Sequence, residues 1–324
     1  MRKILILPYF GEFNDYFNLW IESCKYNSDI DWLIITDNNI KFDLPKNIKV
    51  VNQTFDQLKL FFQSKFDFKI NLKNPYKLCD YKSYYGYIFE DYIKDYDFWG
   101  YCDCDLIFGE INKFLDDSLF EKYDKLLRTG HLSFIRNTKE INTNFMKYDT
   151  YKMVLKSSAI YGYDESIDGY HKGFAGELID SGYNFFDNSE YIADIDFRHH
   201  PFRIINNSQY TNIFTFEEGK TYRIYSENNK IKKEEVMYIH FQKRNMINNV
   251  SEIYNKYLVY PNKFDKYDDI LVNDLYFHQS HGIEIENYFN HKKEKIQSLK
   301  RDFIRFIYEP KKVDSIKYRL KLNV

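Results

Sequence analysis

Apolar residues along the chain follow two alternating patterns. Lys3-Ile-Leu-Ile-Leu7 is a short continuous run stopped by Pro8, and Trp32-Leu-Ile-Ile-Thr36 is a second, stopped by Asp37-Asn-Asn39. Runs of this length between turn residues read as strands buried on both faces. Between them, Tyr16-Phe-Asn-Leu-Trp-Ile-Glu-Ser-Cys24 reads as a helix. A strand, helix, strand opening favours a parallel sheet covered by helices. Further on, Leu78, Tyr81, Tyr85, Ile88, Phe89 and Tyr92 recur at helical spacing. They predict one amphipathic helix that leads through Asp95-Tyr-Asp97 into a strand over Phe98–Cys102. Gly130-His-Leu-Ser-Phe-Ile-Arg-Asn137 reads as another strand and turn, and residues 163–173 as a polar loop containing glycine. Val236-Met-Tyr-Ile-His-Phe-Gln-Lys243 is a strand-like run ending in His240.

Composition adds limits to this α/β picture. The 324 residues are 44% hydrophobic and 19% aromatic, enough for one large core and too apolar for a disordered chain. The character changes near residue 250. Beyond it, Ile296, Leu299, Phe303 and Phe306 keep helical spacing amid lysines and arginines, which predicts a basic amphipathic helix. From His291 to Val324 there are eleven Lys/Arg and four Asp/Glu, so this tail carries +7 and residues 1–290 carry −9 of a net −2. An acidic main body argues against nucleic acid as a partner. No apolar run approaches the ~18 residues of a membrane span, and the apolar start is cut short by Pro8, so a cytoplasmic location is expected. Cys24, Cys79, Cys102 and Cys104 lack paired metal spacing and are expected to be reduced thiols.

The chemistry concentrates in Phe98-Trp-Gly-Tyr-Cys-Asp-Cys-Asp-Leu-Ile-Phe108, where two carboxylates interrupt an apolar run. Asp103 and Asp105 fall just past the C-terminal end of the expected strand, the edge at which open α/β sheets bind ligands. Hard divalent cations such as Mg²⁺ and Mn²⁺ take one or two protein carboxylates, leaving other positions to phosphates and water. The competing reading of the bare pair is two solvated side chains in a turn. His240, at the end of its apolar run, reads by itself as a strand-end histidine bonded to backbone.

With these residues in place, the sequence resembles the metal-dependent GT-A glycosyltransferases, whose Asp-X-Asp motif ends a central strand. More narrowly, it looks like bacterial capsular and lipopolysaccharide assembly transferases that carry a segment like Asn74-Pro-Tyr-Lys-Leu-Cys-Asp-Tyr-Lys82 before Tyr96-Asp-Phe-Trp-Gly-Tyr-Cys-Asp-Cys-Asp-Leu-Ile-Phe-Gly109. The resemblance spans roughly residues 1–245. It implies a GT-A, Rossmann-like sheet in a catalytic domain over 1–250, with 251–324 as the helical extension. It further implies a Mn²⁺ or Mg²⁺ cofactor, a UDP-linked sugar donor, and a glycan or lipid-linked saccharide acceptor.

By the same resemblance, Asp105 binds the ion and Asp103 the ribose or a metal-bound water, with His240 completing the metal shell. Pro8, Tyr9, Phe10, Thr36 and Asp37 line the base and ribose, although Tyr9 and Phe10 read equally as core aromatics. Lys77, Asp80 and Lys82 approach the nucleotide, the alternative for Lys77 and Asp80 being an i,i+3 pair on a helix surface. Lys243, with Arg244, faces the leaving diphosphate, though the Lys-Pro-Trp continuation found in some families is missing here. An inverting transfer also needs a base for the acceptor hydroxyl. Asp164 and Glu165 are the first candidates, followed by Asp168 and His171. The basic tail is expected either to sit at an anionic membrane face or to pack on the catalytic domain. A sugar-nucleotide nucleotidyltransferase should show a glycine-rich phosphate loop after the first strand, where Pro8-Tyr-Phe-Gly11 has one glycine. A non-catalytic glycan binder would explain the aromatic content but not a converging Asp-X-Asp and His.

Overall fold

A computed structural model describes residues 1–166, 172–228, 230–242, 244–250 and 255–267. The opening runs form strands β1 (Lys3–Pro8) and β2 (Ile30–Thr36), joined by helix α1 (Phe17–Lys25), and β3 (Ile48–Asn52) follows; the three pair in parallel. Helix α2 (Phe55–Ser64) starts with a capping box in which Thr54 and Gln57 satisfy each other's backbone amides. The Phe-Trp-Gly-Tyr-Cys strand, β4 (Phe98–Cys102), then pairs in parallel with the other edge of β1. The chain has therefore wound outward on one side of β1 and resumed on the other, leaving a topological switch point between β1 and β4.

After β5 (Leu106–Phe108), strands β6 (Lys125–Leu126), β7 (Leu132–Arg136) and β8 (Phe185–Phe186) extend the sheet to seven strands in the order β3-β2-β1-β4-β7-β6-β8. Alternate side chains feed two cores. Ile4, Ile6, Leu33, Ile35, Trp99 and Tyr101 enter one, under α2 and residues 75–93. Leu5, Leu7, Trp32, Ile34 and Phe98 enter the other, under α1 and residues 111–120. Burial on both faces is why these strands read as unbroken apolar runs. The expected α/β architecture, a mostly parallel sheet flanked by helices, is borne out.

The single helix expected over residues 78–92 takes a different form. Pro75–Tyr84 is a 3₁₀ helix, followed by single α-turns at Tyr85–Ile88 and Glu90–Ile93 with Phe89 as the break between them. Aromatic side chains gain little from a regular helix, and here their packing sets the backbone. Tyr81, Tyr84, Tyr85 and Phe89 are all buried in the first core.

A second, mostly antiparallel sheet packs beside the first. Strands β9 (Ile192–Asp194), β10 (Phe202–Ile204), β11 (Asn207–Glu217), β12 (Lys220–Glu227), β13 (Lys230–Val236), β14 (Tyr238–His240), β15 (Ile247–Asn248), β16 (Lys256–Tyr260) and β17 (Lys263–Lys266) follow in the chain. The second sheet runs β13-β12-β11-β16-β17-β15, with β10 on β11. The boundary expected at residue 250 falls inside this sheet, because Tyr257, Val259 and Phe264 bury their side chains in the same cluster as Phe214 and Phe216. The helix expected through Ile296, Leu299, Phe303 and Phe306 lies outside the described residues. Among the described residues, no helix is long and apolar enough to cross a membrane.

The element that matters most for the site is a strand of three residues. β14 pairs antiparallel with β5 and parallel with β9, which sets His240 opposite Leu106 on one side and Asp194 on the other.

Candidate active site

The turn after β4 is held by its backbone. The indole of Trp20 donates to the Asp103 carbonyl at 3.1 Å, Asn14 Nδ2 to the Cys104 carbonyl at 2.8 Å, and the Phe241 amide to the Asp105 carbonyl at 3.0 Å. With its carbonyls bonded, the turn buries Cys104 in the apolar core and leaves both carboxylates to line a cleft of about 810 Å³. Pro8 at the end of β1, with Tyr9 and Phe10 just past it, forms another part of the wall, so the cleft opens at the switch point. A second lobe of about 720 Å³ continues from the same two carboxylates past Tyr76, Arg128 and Ile205.

β14 brings a histidine to this turn. His240 Nε2 lies 3.6 Å from Asp105 Oδ1, and its Nδ1 lies 2.8 Å from Asp194 Oδ1. Donor atoms of Asp103, Asp105 and His240 fall within 4.8 Å of one another. Burial disfavours a charged His240, but the carboxylates of Asp105 and Asp194 outweigh it and push the imidazole up to about 10. Two carboxylates and one imidazole suit Mn²⁺ and leave coordination positions for phosphate oxygens and water, so the residues fit the ion that the resemblance implied.

On the opposite wall, Lys82 Nζ donates to Asp103 Oδ1 at 2.6 Å and to the Gly130 carbonyl at 2.7 Å. Burial opposes its charge, yet Asp103 and Asp164 hold the ammonium well above its ordinary range. Asp164 is buried beside this cation. Burial raises its carboxyl, Lys82 pulls it back and Glu165 raises it further, leaving it at about 7. Glu165 Oε1 accepts the Gly130 amide at 2.8 Å. A Cβ on Gly130 would come within 2.5 Å of Glu165 Oε1 and 2.8 Å of Asp164 Oδ2, so any larger residue there would make these carboxylates shift.

A family model described as "Family of unknown function (DUF6625)" matches residues 5–268. The chain belongs to DUF6625. No curated protein matches this DUF6625 sequence. Among solved structures, the galactosyltransferase LgtC in complex with donor and acceptor sugar analogues is similar at 11% identity over 60% of this chain and 76% of that one, with a TM-score of 0.34. The apo form of the glycosyltransferase GlyE of Streptococcus pneumoniae TIGR4 is similar at 12% identity over 59% of this chain and 46% of that one, with a TM-score of 0.31.

In the DUF6625 chain, Pro8, Tyr9, Phe10, Lys82, Asp103, Asp105, Asp164, Glu165 and His240 all line the cleft. Lys77 and Asp80 form the i,i+3 pair of the alternative reading, but inside the protein and not on a helix surface. They form a buried pair at 2.7 Å, with Lys77 Nζ also donating to the carbonyls of Val154 and Ala159. Asp80 accepts the amides of Tyr161 and Gly162 at 3.0 and 2.9 Å. The pair thus faces the segment that leads into Asp164 and Glu165, not the cleft. Thr36 is buried and its hydroxyl accepts from the Asn38 side chain at 2.9 Å, while Asp37 is exposed; neither is among the cleft-lining residues. Arg244 reaches the cleft wall, but its guanidinium is engaged by the carbonyls of His199, His200 and Asp196 and by Asn262 Oδ1. Lys243, Asp168 and His171 lie outside the described residues.

Three residues that the sequence did not single out sit in the cleft: His131, Asp194 and Gln242. His131 and Asp194 occupy strand-like patterns that give their side chains no distinguishing mark. Gln242 adopts a left-handed φ of +53° and donates to Asp194 Oδ1 at 2.8 Å. Its position two residues after His240 was the available signal.

Proposed function

We propose that this DUF6625 chain is a GT-A-like glycosyltransferase that moves a hexose from a UDP-linked donor to a bacterial surface-glycan acceptor, with Mn²⁺ or Mg²⁺ as cofactor. The observation that carries the reading is the meeting of Asp103, Asp105 and His240 at the switch point of a mostly parallel sheet. A nucleotidyltransferase would need the amide-rich phosphate loop that the segment after β1 lacks, and a glycan binder has no use for that ligand set.

When bound, the ion would offset negative charge developing on the diphosphate as it leaves. The chain's own residues supply the rest. The walls at Pro8, Tyr9 and Phe10 hold the nucleotide, and Lys82 places a second positive charge beside Asp103. As the bond from the anomeric carbon to the acceptor oxygen forms, the bond to the diphosphate breaks and its electron pair leaves with the diphosphate. Asp164 takes the acceptor's hydroxyl proton, and a carboxyl near 7 is suited to accept it at neutral pH.

Isothermal titration of UDP with and without Mn²⁺ tests the reading. Asp105→Asn keeps the size of the side chain and removes its charge. It is expected to lower Mn²⁺-dependent UDP binding by roughly a hundredfold or more, together with transfer or donor hydrolysis. Undiminished metal-dependent binding in a folded Asp105→Asn protein would overturn the assignment.

A further inference from the structure

His240 stands between two carboxylates, and only one of them belongs to the Asp-X-Asp turn. On its other side the His131 ring stacks against it with centroids 4.0 Å apart, and His131 Nε2 lies 3.9 Å from Asp194 Oδ2. We propose that His131, Asp194 and His240 form a second cation site, of the zinc class, which competes with the Asp103 and Asp105 site for the His240 imidazole. The site itself stands on these three residues, whereas the competition rests on the function proposed above.

One donor atom from each of the three residues lies within 4.8 Å of the other two. Two imidazoles and one carboxylate make a nitrogen-rich set that favours Zn²⁺, Co²⁺ or Ni²⁺ over Mg²⁺, and three protein ligands leave a fourth position open. Zinc bonds of about 2.0–2.2 Å in tetrahedral geometry require ligand atoms about 3.4 Å apart, so separations of up to 4.8 Å here must contract as the ion binds. The ligands also have orienting partners. Tyr238 Oη lies 2.9 Å from His131 Nδ1, and a proton on that nitrogen donated to the phenol leaves the Nε2 lone pair toward Asp194. Gln242 fixes Asp194 from the side at 2.8 Å. The second lobe of the cleft reaches all three ligands, so an ion has a path to them.

Competition follows from the chemistry of one imidazole. A neutral ring has one nitrogen with a free lone pair and one that carries a proton. A zinc ion bound through Nδ1, beside Asp194, puts the proton on Nε2, which then donates toward Asp105 and can no longer ligate an ion held there. Zinc-class ions would therefore weaken the Asp-X-Asp site without touching either of its carboxylates.

The test is titration of Zn²⁺ and, separately, Mn²⁺ plus UDP into the full-length protein, His131→Gln and Asp105→Asn, each checked for folding by melting. His131→Gln is expected to lose at least tenfold in Zn²⁺ affinity and to bind Mn²⁺ with UDP as the wild type does. Asp105→Asn is expected to retain Zn²⁺ affinity within about threefold. Added Zn²⁺ should lower apparent Mn²⁺ affinity more in the wild type than in His131→Gln, where only direct replacement of Mn²⁺ at the Asp-X-Asp site remains. Unchanged Zn²⁺ binding in His131→Gln, or its loss in Asp105→Asn, would overturn the second site. Absence of Mn²⁺ and UDP binding with Zn²⁺ binding intact would instead sink the proposed function and leave the site standing. If His131→Gln does not fold, Co²⁺ in the wild-type protein decides: a strong tetrahedral visible spectrum with paramagnetic shifts on two histidines supports the site, and a weak octahedral spectrum overturns it.

Discussion

Asp164 and Glu165 are adjacent in sequence, but their surroundings give them separate tasks. Glu165 spends an oxygen on the Gly130 amide, whereas Asp164 is buried against Lys82 with its carboxyl held near 7. If Asp164 is the base, kcat/KM should rise with pH through about 7 and then level, because only the ionised form accepts a proton. Asp164→Asn should leave binding of UDP with Mn²⁺ within about threefold while turnover falls roughly 10²- to 10⁴-fold and the rise through neutrality disappears. Rate profiles over pH, paired with titration of the same protein, check this. A variant that retains the wild-type turnover and profile would remove Asp164 from the mechanism. Gly130→Ala should act on the same pair from the other side, since the added methyl group meets both carboxylates.

At the level of elements, the 3₁₀ segment Pro75–Tyr84 supports the site from two directions. Its last turns send Lys82 into the cleft, and its first turns bury Lys77 and Asp80 as a pair that also bonds the backbone of residues 154–162. Removing one member of a buried, hydrogen-bonded ion pair leaves the other charge uncompensated, at a cost of about 3–5 kcal/mol. Lys77→Met should therefore lower the melting temperature markedly and loosen the segment before Asp164. The double variant Lys77→Met with Asp80→Leu should recover part of the loss. Melting curves and amide exchange at residues 159–163 provide the readout; a single variant as stable as the wild type would contradict this role.

For the molecule as a whole, buried carboxyls set the pH response. Glu177 is buried under the first core and raised to about 7, with burial as the main cause and the bond from Tyr163 acting against it. A carboxyl raised on folding makes the native state bind the extra proton. Its stabilising contribution is complete below the ordinary value near 4.5 and is lost as pH rises toward 7. Glu177→Gln mimics the protonated form and should flatten that slope, leaving the protein more stable than wild type at pH 8 by roughly 1–3 kcal/mol. Denaturant titrations at pH 5 and pH 8 measure the difference, and a larger stability gap in the variant than in the wild type would reverse the assignment.

The parallel opening of the fold was legible because strands buried on both faces leave unbroken apolar runs at Lys3–Leu7 and Trp32–Thr36. The Asp-X-Asp turn was legible because two carboxylates interrupt such a run where a strand ends. Short-range pattern carries that much, since strand and helix periods are properties of neighbouring residues. It did not carry the break in the 78–92 helix, the continuation of the second sheet past residue 250, or the inward use of Lys77 and Asp80. Each of these is decided by what packs against the segment from elsewhere in the chain. The convergence on His240 has the same origin: β14 lies between β5 and β9 through backbone pairing across separations of more than forty residues. Sequence placed a histidine at a strand end, but only the tertiary pairing set it between Asp105 and Asp194, beside a second imidazole from His131.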